Sequence, residues 1–133
     1  MKTLLLIMVA ACCMLACTKS EQPSPVLPGL FGKWELRRQA GSIVGFDSTY
    51  KAGNGRIYQF NSDSTYKKFN KGAVIAQGTF HIIQSNLPYA NSVDKIVFDH
   101  SDAEVFTFSG LQLSIGENNN DGIEFDYSKI QNE

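Results

Sequence analysis

Two histidines, His81 and His100, are the only imidazoles in the 133-residue chain, and its three cysteines all fall within the first 17 residues. A His/Cys metal cluster needs three or four such ligands brought together, so none can be assembled in the body of the protein, and no metal site is expected. The run Glu117-Asn118-Asn119-Asn120-Asp121-Gly122 has the composition of a calcium loop, but its twelfth position is Ser128, where a bidentate Glu is required. It reads instead as a polar hairpin turn. There is no phosphate-cradling glycine loop and no nucleophile elbow. The carboxylates are dispersed and read as strand exteriors or turns. No acid/base pair can be nominated, so the expected protein is not an enzyme and needs no cofactor. The side chains left with chemistry to offer are aromatic: Trp34, Tyr58, Phe60, Tyr66, Phe80, Phe108, Phe125 and Tyr127. Falling on apolar strand faces, they would point inward. There they either pack a core or line a cavity for a small apolar or amphipathic ligand, with tyrosine hydroxyls to orient it.

Those aromatics need strands to position them. No stretch after the first 17 residues shows apolar side chains at helical spacing, whereas period-two alternation recurs throughout. Eight strands are predicted, at 33–39, 56–61, 65–70, 73–84, 95–99, 104–109, 111–115 and 122–130, separated by turn residues at barrel-like intervals. Trp34, Leu36 and Arg38 are expected on one face of the first strand. Gly78 is expected to mark a bend or bulge in the fourth. The last two strands alternate cleanly, with Leu111, Leu113 and Ile115, then Ile123, Phe125 and Tyr127, on their apolar faces. One face is therefore buried and the other wet, as antiparallel sheets allow. Closing eight such strands into a ring removes the exposed sheet edges. The predicted fold is an all-β, eight-stranded antiparallel up-and-down barrel. One connection is unusually long: 40–55 is predicted as a loop whose Ile43, Val44, Phe46 and Tyr50 could fold over one end of the barrel. Phe46 joins the candidate ligand-binding residues for that reason.

The amino terminus has a different grammar. Lys2 is followed by an apolar run from Leu4 to Ala11 and then by small residues, the anatomy of a helical secretory signal peptide. The run is too short to span a bilayer, which takes about 20 apolar residues. Met14-Leu15-Ala16-Cys17 resembles the lipobox of bacterial lipoproteins. Val9-Ala10-Ala11-Cys12 fits the same pattern but leaves too short an apolar run, so Cys17 is preferred. The resemblance implies a leader at 1–16 and a diacylglyceryl thioether and acylated amine (palmitate-type chains) on Cys17, the link to the lipid bilayer. The Pro-rich segment 17–29 reads as a flexible tether and 30–133 as the folded domain. Thr18-Lys19 places no Asp at the +2 position that retains some lipoproteins at the inner membrane. The expected address is the outer membrane of a Gram-negative cell envelope.

The chain carries a net charge of −1, becoming −2 when Lys2 leaves with the leader, which argues against nucleic acid as a partner. The charges are segregated nonetheless. Residues 33–71 hold eight bases against three acids, and 94–133 hold nine acids against two bases. In a closed barrel the first and last strands pair, which would bring these opposite charges together.

The residues also resemble a family. Leu30-Phe31-Gly32-Lys33-Trp34-Glu35-Leu36 resembles the Gly-x-Trp start of lipocalins. Arg56 to Tyr66, followed by Gly78-Thr79-Phe80, is similar to the hairpins of small lipocalin-like domains in bacterial lipoproteins, and Gly122 to Ile130 is similar to their last strand. The resemblance implies a lipocalin-like barrel with Trp34 at its closed end beneath Lys129. Lys stands where the family usually has Arg. It also implies a small hydrophobic or amphipathic ligand. A filled barrel that meets another envelope protein is the alternative.

Overall fold

The computed structural model describes residues 27–84, 94–99, 101–117 and 121–131. The expected signal peptide, Cys17, most of the tether, the connection at 85–93 and His100 lie outside the described residues.

Among the described residues nine strands follow one another: β1 (Gly32–Gly41), β2 (Phe46–Thr49), β3 (Arg56–Phe60), β4 (Thr65–Asn70), β5 (Ala73–Ile83), β6 (Lys95–Phe98), β7 (Glu104–Ser109), β8 (Gln112–Gly116) and β9 (Ile123–Lys129). Among the described residues the only helical element is a 3-10 turn at Pro28–Leu30. Strands β3 to β9 pair antiparallel in chain order, and β1 pairs with both β3 and β9. Eight strands, β1 and β3–β9, therefore close an antiparallel barrel. Closure satisfies the backbone donors and acceptors of both would-be edges.

The ninth strand corrects the long-loop expectation. β1 runs on to Gly41 and folds back into β2, with Gly41 opposite Phe46 and Arg38 opposite Thr49. The turn between them is closed by Gly45 N–H donating to Ser42 O (2.9 Å), with positive φ at both Ser42 and Gly45. Ile43 and Val44 sit at its tip, 86% and 91% exposed, and so do not fold over the barrel end. Their β-branched side chains disguise a turn as part of a lid. Phe46 belongs to this hairpin and is half-buried, while Tyr50 packs against the core.

A second correction concerns β1 itself. Leu36 faces Tyr127 of β9, but the next pair in register is Arg38 with Asp126, so Arg37 is an extra, bulged residue. An inserted residue shifts a period-two pattern by one. Trp34 and Leu36 stay in the core, and Arg38 turns to the outer face. There its guanidinium holds both carboxylate oxygens of Asp47 (2.9 Å each) and reaches Asp126 (3.3 Å). This is the pairing of the basic first strand with the acidic last one.

The bulge expected at Gly78 is not there, since Gly78 keeps regular register opposite Tyr66. The irregularity in the β4–β5 pairing lies at Lys68/Phe69, and a Cβ on Gly78 would collide with the Asp99 carboxylate. Asp99 accepts from Thr79 N–H (2.7 Å) and from the Tyr66 hydroxyl (3.1 Å), tying β4, β5 and the end of β6 together.

The barrel has two unlike ends. At the end holding Gly32, Phe60 and Lys129 the 3-10 turn acts as a plug. Leu30 is buried, and its carbonyl accepts from Trp34 Nε1 (2.7 Å). Lys129 Nζ donates to Gly29 O (2.6 Å) and lies 5.2 Å from the Trp34 ring centre. Leu27 and Gly29, expected to finish the tether, also pack against this end, Gly29 lying directly under the Phe108 ring. Above the plug an aromatic network fills the interior: Tyr58 stacks on Phe60 (4.9 Å) and Phe98 (5.4 Å), and Phe80 meets Phe60 edge-on (5.1 Å). Such pairs add roughly 0.5–1.5 kcal/mol each beyond the area they bury.

Candidate functional site

The opposite end, where β3, β7 and β9 begin and β4 and β8 finish, is open. A cavity of about 1010 Å³ enters the barrel there. Its lining is built by strand alternation. Leu36 of β1, Tyr58 of β3, Lys68 of β4, Glu104 of β7, Ile115 of β8, and Phe125 and Tyr127 of β9 all contribute. Ordinary pleating explains the two charges: Lys68 follows the buried Tyr66 by two residues, and Glu104 precedes the buried Phe106 by two. Arg56, Asp102 and Glu117 stand around the rim.

Of the nine aromatics nominated from the sequence, Tyr58, Phe125 and Tyr127 line this cavity. Trp34, Phe60 and Phe80 belong to the filled half of the barrel, and Phe108 packs beside Phe106 (5.9 Å) at the plugged end. Tyr66 is buried beside the cavity with its hydroxyl committed to Asp99. Phe46 lies in the outer hairpin. Packing divides the set because the closed half leaves no room between rings, whereas the open half lacks a plug.

Lys68 and Glu104 were not nominated, and the reading of every carboxylate as exterior or turn is corrected for Glu104. Burial pushes the Lys68 ammonium below its ordinary value, opposed by the negative charge of Glu104. Burial likewise raises the Glu104 carboxyl, opposed by Lys68 and reinforced by Glu117. The Lys68 Nζ lies 4.5 Å from the Tyr58 ring centre and 5.9 Å from that of Phe98. The ring faces take the place of part of its lost hydration. Burial also raises the Tyr58 and Tyr127 hydroxyls well above the usual range, so both remain neutral donors. The signal that could have found both charges was their phase: each sits two residues from an aromatic on an inward face.

A second carboxylate is also misread by the exterior rule. Glu35 is buried under the connection between β2 and β3. It accepts backbone N–H groups of Gly53 (3.0 Å) and Gly55 (3.1 Å) and pairs with Arg37 (2.7 Å). Burial would raise its carboxyl, but the two amides and the guanidinium together hold it below the ordinary value. Asn54 adds two bonds from its amide, to Leu36 O (2.9 Å) and Lys51 O (2.7 Å). This staple fixes the approach to β3 and so the rim residue Arg56, whose guanidinium lies 4.9 Å from the Tyr50 ring centre.

Among the described residues no group of three or more His, Cys, Asp or Glu side chains could hold a metal ion. No family model, curated protein or solved structure matches the chain.

Proposed function

We propose that the protein is a lipocalin-like lipoprotein of the cell envelope, anchored through Cys17, which takes a small hydrophobic or amphipathic ligand into the open end of its barrel. The observation that carries this reading is the cavity of about 1010 Å³, bounded below by a filled aromatic core. Ligand pockets typically run from about 300 to 1,000 Å³ and combine apolar walls with a few polar groups. Leu36, Ile115 and Phe125 supply the apolar surface, and the Tyr58 and Tyr127 hydroxyls the polar points. The amino-terminal lipobox and the Pro-rich tether support the anchored address.

Titration of the purified protein with 1-aminoanthracene tests the binding reading. Saturable one-to-one fluorescence enhancement is expected, and Ile115→Trp, which pushes an indole in among the lining side chains, should weaken it. Absence of saturable binding, or binding unchanged by Ile115→Trp, would sink the proposal.

A second reading, a structural or interaction lipoprotein, rests on the exposed Ile43 and Val44 at the β1–β2 tip. Isolated exposed apolar residues are ordinary, so it ranks below the cavity. Site-specific crosslinking from position 43 that yields no defined envelope adduct would remove it.

A further inference from the structure

The cavity has a polarity that the barrel's closure creates. In the ring of eight, β3 and β4 stand diametrically across from β7 and β8. Arg56 and Lys68 rise from the first pair, and Glu104 and Glu117 from the second or its end. Asp102, in the turn before β7, adds to the anionic side, and Lys95 on β6 lies between the walls. The lining thus holds three cations and three anions, with opposite signs set on facing walls.

The two deepest charges keep their hydrogen-bonding capacity for something other than the protein, although the Lys68 ammonium also lies over the Tyr58 ring. Neither Lys68 nor Glu104 makes a hydrogen bond or ion pair with another described residue, and the Tyr58 and Tyr127 hydroxyls have no hydrogen-bond partner among them. Lys68 and Glu104 are half-buried, and none of these four polar ends is a sealed, unpartnered atom, so each is reachable from the open space of the cavity by water or a ligand. A ligand of one sign entering this cavity is attracted by one wall and repelled by the other. A ligand with both signs, oriented across the mouth, is attracted by both.

We propose that the ligand of this cavity is a small zwitterion with an apolar portion. Its anion rests on Lys68 and its ammonium on Glu104, with hydrocarbon against Ile115 and Phe125. The shared chemistry is a primary ammonium and an anionic group on one short frame, as in a short peptide or a phosphoethanolamine headgroup. This deepens the binding reading above and rests on it.

Calorimetric titration of the full protein with two matched series tests it. The first is the dipeptide Leu-Phe against its N-acetyl, C-amide and doubly blocked forms. The second is dihexanoyl phosphatidylethanolamine against dihexanoyl phosphatidic acid and dihexanoylglycerol. In at least one series the zwitterion should bind tenfold or more tighter than each counterpart, the loss of one charge-assisted contact. The series in which it does so identifies the frame.

Lys68→Met should erase the preference for the free anion while keeping that for the free amine, and Glu104→Gln the converse. A general loss of folding cannot produce that crossed pattern, and the wild-type comparison decides even where a variant misfolds. Binding of 1-aminoanthracene without preference for either zwitterion overturns this inference and leaves the binding reading standing. If neither 1-aminoanthracene nor any member of either series binds, both fall.

Discussion

Replacing Glu35 by alanine removes the staple that holds the β2–β3 connection onto the barrel wall. In the folded protein its carboxylate accepts two backbone N–H groups and pairs with Arg37 at 2.7 Å, while the side chain is only 6% exposed. A hydrogen bond to a charged group contributes about 1.5–3 kcal/mol net. Gly53 is exposed, so its amide regains water when the carboxylate is lost, whereas Gly55 is half-buried and does so poorly. Taking both bonds at the lower limit gives about 3 kcal/mol as a minimum for Glu35→Ala. For a domain of this size that lowers Tm by roughly 12 °C or more. Glu35→Gln keeps one acceptor oxygen and loses the charge, so about half of that is expected.

The pH dependence has a definite sign. The folded carboxyl lies below its ordinary value of 4.5, so its stabilisation is complete above that value and is lost as pH falls through the folded one. Denaturant unfolding of wild type and Glu35→Gln at pH 7 and pH 3 should therefore show a gap that narrows with acid. Amide exchange at Gly53 and Gly55 should speed up in both variants at neutral pH. A Glu35→Ala cost below about 0.5 kcal/mol at pH 7, or a wild-type-to-Gln gap that stays constant with pH, would refute the staple.

Three further outcomes follow from other parts of the molecule. Gly78→Ala should destabilise by about 1–3 kcal/mol through overpacking against Asp99. Combined with Asp99→Ala it should cost much less than the two changes summed, a coupling that a double-mutant cycle measures directly. The double variant Lys68→Met/Glu104→Gln should match or exceed wild-type stability, by up to about 2 kcal/mol in urea unfolding. Exchanging buried charges for neutral groups removes their desolvation cost. Marked destabilisation would mean that the two charges hold the barrel together. Cys17→Ser should leave the barrel folded and release it from the membrane fraction. Labelled palmitate on that variant at wild-type level would show that the anchor lies elsewhere.

The closed barrel was legible because its signals are local and repeated. Period-two alternation with turn residues between strands needs no knowledge of partners, and β4 and β7 occupy the predicted spans, 65–70 and 104–109. The misreadings share one cause, that a residue's face depends on a neighbour distant in sequence. The bulge at Arg37 exists only in the β1–β9 register, so Arg38 was assigned to the wrong face. Gly78 looked like a bulge because nothing in its own strand shows that Asp99, 21 residues later, occupies the space above it. The Ser42–Gly45 turn was hidden by apolar tip residues whose exposure only the hairpin reveals.

The sequence by itself determined that the domain is an antiparallel barrel and that Trp34, Tyr58, Phe60, Tyr66, Phe80 and Tyr127 point inward, while the equally buried Phe98 and Phe106 were missed. It also supplied a basic first half and an acidic second half. These are properties of alternation and composition, carried by the covalent chain. Only the tertiary structure decided which inward residues pack and which line a cavity, because that depends on the Pro28–Leu30 plug filling one end and leaving the other open. It also decided where the segregated charges meet. Closing eight strands sets each strand against the one four places round the ring, so Lys68 and Glu104, remote in sequence, face one cavity.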